Sequence, residues 1–518
     1  MNVLKSLFII SVITMLSRML GFIRDILIAR IFGIGMVTDA FFIAFKLPNF
    51  LRKIFAEGAF SQAFIPILVE YKERKENLVT RTFIACISGL LILLLVIVVL
   101  FGCFAAPWLV SIFAPGFIDI QEKFVLATNL VRVIFPYIFF ISLSSLISSI
   151  LNTWNNFFLP ALTPMLLNIS MITFAVCANF WFQPPIMALA WSVILGGILQ
   201  LICQLPSLNK IGMLTIPHLD FFDVGVLRVL KSMGIAVLAV SSNQISLIIN
   251  TVFSSFLVSG SISWMYYAER LMELPTGIFG ISLSTILLPL LSRSFSDKNF
   301  YEYSCLIDWG LRVCFILSLP SAVLLCVLAK PLVTVLFRHG GFSTYDVLMT
   351  QYALIAYSIG LVSLILVKVL SSAFYSSYNI KSTVHVAFIV LVVTQCMNII
   401  FIGPLKHVGL SLAIGLGACC HAGLLYWQLR KRRLFYPRPG WLKFFFQIFL
   451  ALGMMLLVLV ILCLIFIDWM YGSTLYKFVR LIGVILISII TYFVTLWLVG
   501  VRLKDFIRPI LLSWIKNK

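Results

Sequence analysis

The sequence predicts an all-α polytopic membrane protein with about fourteen transmembrane helices, and three observations predict it. Of 518 residues, 62% are hydrophobic and 11% charged, with a mean hydropathy of +1.11. A soluble domain cannot bury that much apolar surface. Apolar runs long enough to cross about 30 Å of hydrocarbon, roughly 20 residues each, follow one another along nearly the whole chain. Strand-length alternation is absent, which favours helices over a membrane barrel.

By the length rule, spans centre near Leu16, Phe50, Leu94, Phe139, Ile169, Ile194, Ile245, Phe279, Leu317, Leu361, Val390, Gly415, Met455 and Ile487. The first apolar run continues past Arg18 to Ile31 with no small-residue cleavage pattern, so it is read as a span and not a signal peptide. The second and eighth are the least regular, because both contain charges and proline.

Charges in the connections set the orientation. Alternate connections collect Lys72, Arg74, Lys75, Arg81, Lys210, Arg228, Lys231, Arg293, Lys298 and Lys381. The same side takes the cluster from Arg430 to Arg433 with Arg438 and Lys443, and the tail with Arg502, Lys504, Arg508, Lys516 and Lys518. The other side carries few: Arg30, Lys123, Lys330, Arg338, Lys406, Lys477 and Arg480. The positive-inside rule then places both termini in the cytoplasm.

An internal duplication is expected at an offset of about 224 residues. Ala105-Ala106-Pro107-Trp108-Leu109 pairs with Ala329-Lys330-Pro331-Leu332-Val333, and Phe113 with Phe337. Ser148 pairs with Ser372, Trp154-Asn155 with Tyr378-Asn379, and Ala44-Phe45-Lys46 with Ala268-Glu269-Arg270. With small gaps, Pro66 meets Pro289, and Leu167-Asn168-Ile169 meets Met397-Asn398-Ile399. Six spans separate the copies, so the repeat is parallel, an arrangement common among secondary transporters. The expected organisation is a first six-helix lobe over 1–215, a second over 216–433, and two additional helices with a basic tail over 434–518.

The functional signal is charge inside the spans. A charge at bilayer depth costs about 2.5–3.5 kcal/mol on insertion scales and usually faces a polar cavity. The first span carries Arg18, Arg24 and Asp25; the second carries Asp39, Lys46, Arg52, Lys53 and Glu57. The eighth carries Glu269, Arg270 and Glu273, and the tenth Lys368. Arg18 and Asp25 are seven apart and share a helix face, with Gly21 between them, while Arg24 points about a third of a turn away. Asp39, Lys46 and Lys53 recur at sevens, with Asn49 and Glu57 on their stripe and Arg52 off it. Pro48 frees a backbone carbonyl mid-span. Two readings follow. The charges pair with one another as structural ion pairs, or their cationic excess lines a water-filled cavity that binds an anion. Arginine suits phosphate, to which its planar fork donates two hydrogen bonds.

Other chemistry is not supported. The net charge of +20 follows the connections and reads as topology, not nucleic-acid binding. The 11 cysteines are scattered without a CxxC spacing, and the five histidines lie far apart. No GxxxxGK[ST] loop is present, so ATP hydrolysis within the chain is not expected.

Several stretches carry a family resemblance. Ser17-Arg18-Met19-Leu20-Gly21-Phe22-Ile23-Arg24-Asp25, Thr38-Asp39-Ala40-Phe41-Phe42 and Lys46-Leu47-Pro48-Asn49 resemble the MviN/MurJ family. The most specific stretch runs from Arg52-Lys53-Ile54-Phe55-Ala56-Glu57-Gly58 to Pro66. Asn152-Thr153-Trp154-Asn155 and Ser263-Trp264-Met265-Tyr266-Tyr267-Ala268-Glu269-Arg270-Leu271 also fit. The resemblance implies a lipid II flippase of the bacterial inner membrane, within the multidrug/oligosaccharidyl-lipid/polysaccharide exporter superfamily. It implies fourteen helices, the last two grooved for a lipid tail, and alternating access through a cationic central cavity. It implies Arg18, Arg24, Asp39, Arg52 and Arg270 as essential cavity charges, with Asp25, Asn49 and Glu57 in support. Glu273 and Lys368 complete the expected substrate-binding set.

No cofactor is expected; the membrane potential or a monovalent cation is the candidate energy source. The expected partners are lipid II, membrane lipids and the cell-wall synthesis machinery. A cation or drug exporter would need a net acidic cavity, and an isoprenoid-linked glycosyltransferase would need surface carboxylates with a sizeable external loop. A channel, usually a symmetric assembly, would leave the duplication without a purpose.

Overall fold

The computed structural model describes residues 3–53, 60–220, 222–377, 379–466, 469 and 472–502. Glu57, Tyr378 and the tail lysines and arginine at 504, 508, 516 and 518 lie outside them. Every assigned element among the described residues is helical.

The chain forms two compact units, Met1–Ser263 and Trp264–Lys518. The first contains α1 (Val3–Phe32), α2 (Met36–Leu51), α3 (Ser61–Arg74), α4 (Asn77–Phe104) and a short α5 (Ala106–Phe113). After a 3-10 turn follow α6 (Gln121–Ile134), α7 (Tyr137–Thr153), α8 (Phe158–Trp181), α9 (Met187–Lys210) and α10 (Val224–Ser255). Here α1 packs on α8, α8 and α7 on α9, and α2 on α6. Although the sequence reading assigns it to the second lobe, α10 packs against α3, α4 and α5. Arg228 on α10 donates to both carboxylate oxygens of Glu70 on α3, at 3.2 and 2.7 Å.

α11 (Ser261–Pro275) leads into the second unit through a π-turn over Thr276–Gly280 to α12 (Ile281–Ser296). Then come α13 (Phe300–Val327), a short α14 (Ala329–Phe337), α15 (Thr344–Ser376), α16 (Ile380–Lys431), α17 (Trp441–Ile465) and α18 (Thr474–Leu498). α15 packs along α16, α12 and α13; α17 and α18 pack on each other, on α13, and α18 also on α14. Where α15 crosses α16, any side chain on Gly360 would collide with the backbone of Gly415. Only glycines permit that approach, the small-residue contact typical of membrane helices. Local capping follows the sequence: Ser343 accepts from the Asp346 N–H while Asp346 accepts from the Ser343 N–H, a capping box that starts α15.

Among the described residues, ten helical stretches are long and apolar enough to cross a membrane. α1, the α2–α3 pair and α10 extend the set. α16 has 52 residues and a non-helical break at Lys406 (φ 50°, ψ −128°), so it supplies two crossings. The result is compatible with fourteen spans. The irregular second and eighth spans have a common cause. α2 ends in π-type backbone at Arg52 and Lys53, and α11 ends in the π-turn at Thr276.

The duplication is visible inside each unit. α5 and α14 are both short and both carry a proline in the first turn, Pro107 and Pro331. Ser61 and Ser149 hydroxyls meet at 3.4 Å in the first unit, and Ser284 and Ser372 at 2.7 Å in the second. That pair aligns Ser372 with Ser149, one residue from the match read in sequence.

Candidate functional site

In the first unit, α1 and α8 assemble one of two deeply buried charge clusters. Arg24 is 4% exposed and Asp25 1%. Arg24 donates to Asp25 Oδ1 from Nε (2.9 Å) and Nη2 (2.7 Å). It also donates from Nη1 to Asn168 Oδ1 on α8 at 2.9 Å. Asn168 in turn donates from Nδ2 to the Ser17 carbonyl at 3.1 Å. Gly21 lies opposite this amide, and a Cβ there would sit 3.5 Å from Nδ2. The shared face of Arg18 and Asp25 therefore does not give a shared environment, since Arg18 is exposed and Asp25 is buried. Arg24, expected to point away, reaches back to its neighbour because its side chain is long enough to do so.

At the end of α2, Arg52 is half-buried and donates from Nε to Asn49 Oδ1 at 3.3 Å. Asn49 donates to the Phe45 carbonyl at 2.9 Å, which fixes its amide. So Arg52, off the predicted stripe, meets Asn49, which is on it. Lys46 and Lys53 are exposed.

Asp39 lies elsewhere, at the start of α2, about 20 Å of helix from Arg52. It is 1% exposed and Lys123 on α6 is 2% exposed. Lys123 donates from Nζ to Asp39 Oδ2 at 3.2 Å and to Ser259 Oγ at 3.3 Å, with the ammonium 4.1 Å above the Phe117 ring. Asp39 also accepts the Gly260 N–H (2.7 Å), the Ser263 N–H (3.0 Å) and the Ser263 hydroxyl (2.7 Å). A carboxylate from α2 thus caps the first turn of α11, where free N–H groups and the helix dipole favour negative charge. The structure does not bring Asp39 to the arginines.

In the second unit, Arg270 on α11 donates from Nη1 to Glu273 Oε2 at 2.7 Å. Its Nε and Nη2 each lie 3.3 Å from the Tyr266 hydroxyl, with the guanidinium 5.3 Å from the ring centroid. The pair stays accessible, with side chains 33% and 51% exposed. Lys368 on α15 is exposed, and its stem runs past Gly280. Glu57 lies outside the described residues.

Ion pairing accounts for part of the set: Arg24–Asp25 and Asp39–Lys123 are buried ion pairs. Arg18, Arg52 and Arg270 keep accessible guanidinium groups that can present their donors to an oxyanion. Sequence reasoning missed Lys123, counted as a connection charge, and Ser263. It noted Asn168 only as a repeat match. No group of three or more His, Cys, Asp or Glu able to hold a metal occurs among the described residues.

Comparison with known proteins places this arrangement. The family model described as Lipid II flippase MurJ matches residues 28–498. The chain is 47% identical over 506 residues to a probable lipid II flippase MurJ of Buchnera aphidicola from Schizaphis graminum, covering 98% of each. It is 43% identical over 514 residues to the lipid II flippase MurJ of Burkholderia cenocepacia, covering 98% of this chain and 99% of that one. A solved structure titled Lipid II flippase MurJ, inward closed conformation, superposes with a TM-score of 0.80 at 29% identity over 94% of this chain and 98% of that one. An inward-facing multidrug MATE transporter shares the fold, with a TM-score of 0.64 at 16% identity over 82% of this chain and 98% of that one. With relatives this similar over nearly its full length, this multi-pass membrane protein belongs to the lipid II flippase MurJ family.

Proposed function

We propose that this protein is a lipid II flippase, moving the undecaprenyl-pyrophosphate-linked peptidoglycan precursor from the cytoplasmic to the periplasmic leaflet of a bacterial inner membrane. The observation that carries the reading is the full-length similarity to proteins of that name, at 43–47% identity. The charges fit it. Arg18 and Arg52 in the first unit and Arg270 in the second offer accessible guanidinium groups of the kind that bind a diphosphate. Asn49 and Glu273 bond to such groups and Lys368 adds an exposed cation on α15, whereas Asp39 and Lys123 hold α2, α6 and the start of α11 together.

The protein works as a transporter and not an enzyme, by alternating access. The driving force is electrical or a coupled monovalent cation. A net charge crossing the membrane gains about 2.3 kcal/mol per 100 mV, without ATP. Both termini are cytoplasmic, by the distribution of basic connections. Membrane lipids surround it, and the cell-wall synthesis machinery receives its product.

The test is reconstitution in liposomes containing lipid II, with accessibility of the headgroup measured with and without an imposed potential. Arg18→Ala, Arg52→Ala and Arg270→Ala should each abolish transfer while leaving folded protein in the membrane. Normal transfer by these three variants would overturn the assignment of the arginines. Absence of transfer by the parent protein under a potential of either sign would overturn the function.

A further inference from the structure

Asn168 is a buried amide, 8% exposed, on a helix with no Asp, Glu, Lys, Arg or His of its own. Its two ends are used in opposite senses. Nδ2 donates to the Ser17 carbonyl at 3.1 Å, and Oδ1 accepts from Arg24 Nη1 at 2.9 Å. The orientation is unambiguous, because a backbone carbonyl can only accept and a guanidinium can only donate. The amide thus spans α1 across Gly21, gripping one turn with its nitrogen and a second, seven residues on, with its oxygen. A planar group with a donor and an acceptor on one carbon is what this position requires.

The repeat sharpens the point. The equivalent residue in the second half, Asn398, is fully buried and donates along its own helix to Gln395 Oε1 at 2.8 Å. In the first half the same residue type bridges to an arginine on a neighbouring helix.

We propose that Asn168 is the positioning residue for Arg24, holding its guanidinium with a neutral acceptor that an incoming phosphate oxygen can replace. The inference rests on the reading of this protein as a diphosphate-lipid transporter, and adds Arg24, buried and paired with Asp25 in this structure, to the arginines that the diphosphate meets. Its physical basis is the ranking of hydrogen bonds. A guanidinium bonds an ionised oxygen more strongly than a neutral one, because Coulomb attraction between opposite charges adds to the hydrogen bond. Asp25 neutralises Arg24 and aims it from within α1, with both bonds falling on a single oxygen, Oδ1. Asn168 supplies the second direction. Being uncharged, it yields to a phosphate, whereas a carboxylate at 168 would compete with one.

The test uses the full-length protein in detergent and in liposomes, with three variants. Asn168→Leu removes both hydrogen bonds at similar volume. Asn168→Asp keeps an acceptor for Arg24 but makes it ionic and loses the donor to Ser17. Asn168→Gln keeps both groups on a longer stem. The first measurement needs no substrate: modification of Arg24 by phenylglyoxal, read by mass spectrometry. Asn168→Leu should raise the modification rate several-fold over the parent, and Asn168→Asp should lower it. Equal rates in all forms would overturn the positioning role whatever the substrate is. The second is binding of undecaprenyl-pyrophosphate-linked lipid. Asn168→Asp should bind about tenfold more weakly at an unchanged melting midpoint, and Asn168→Gln should recover part of the loss. A purely structural role instead gives losses of binding that track losses of melting midpoint, and would overturn the proposal. Failure of the parent to bind the lipid, with the modification pattern intact, would count against the transport reading alone.

Discussion

Lys123→Met exposes what holds Asp39. The parent buries the carboxylate almost completely, with one ammonium and three neutral donors around it: the N–H groups of Gly260 and Ser263 and the Ser263 hydroxyl. Methionine keeps most of the stem but removes the charge and, with it, the ammonium's contact with the Phe117 ring. Breaking a buried ion pair by deleting one partner costs about 3–5 kcal/mol, because the remaining charge is stranded. Three donors stay on Asp39, so the lower end, about 3 kcal/mol, is expected. At roughly 2–4 °C per kcal/mol for a unit of this size, the melting midpoint should fall by about 6–12 °C. The diagnostic comparison is a double-mutant cycle with Asp39→Asn in detergent, monitored by thermal aggregation or by a thiol-reactive dye. The double variant, with neither charge, should be more stable than either single one. If Lys123→Met melts within about 1 kcal/mol of the parent, or if the double variant loses the sum of the two singles, then the pair is not what secures α2 to α6, and the reasoning fails.

Other outcomes follow from the same structure. Arg52→Lys should retain less than a tenth of parental transfer in liposomes while remaining folded, because an ammonium cannot reproduce the planar fork; full transfer would mean that charge alone suffices. Gly360→Leu should destabilise the α15–α16 crossing by about 1–3 kcal/mol or more, seen as lower yield of folded protein in the membrane. Glu70 has its carboxyl held below the usual value of 4.5, first by the hydrogen bond from Arg228. A depressed carboxylate stabilises the fold above its ordinary value and loses that contribution as pH falls through the bound one. The distance between spin labels placed on α3 and α10 should therefore be constant from pH 8 to 5 and widen only below about 4.5. Arg228→Ala should abolish that pH dependence yet leave the neutral-pH melting midpoint nearly unchanged, since the pair is solvent-exposed.

Much of this architecture was legible in the chain. Among the described residues, the apolar runs are helical, because crossing hydrocarbon leaves the backbone no other way to satisfy its own hydrogen bonds. The two spans disturbed by proline and charge are the ones with π-type backbone, at Arg52 and at Thr276. What could not be read was which helix each charge would meet. Helix periodicity places Arg18 and Asp25 on one face, yet the neighbour of Asp25 decides its environment, and nothing in α1 announces Asn168 on α8. Likewise, Lys123 sits three residues into α6, where composition suggests a solvated connection charge, but its stem folds inward to a carboxylate 84 positions earlier. Partner choice across helices is a property of packing, and spacing within one helix does not carry it.

The widened turn between α11 and α12 has a consequence for how this chain can vary. A five-residue hydrogen-bonding loop accommodates one residue more than the surrounding coil, so everything beyond it is advanced by about 100° of azimuth. The stretch Thr276–Gly280 therefore works as a phase shifter between the half carrying Arg270 and the half packed on α13 and α15. Removing a single position there would restore ordinary winding with Leu283, Leu287 and Leu291 still on their buried side, whereas the same deletion at the start of α12 would swing them off it by about 100°. The turn is thus a place where the length of this helix pair can change by one residue without rotating its core face.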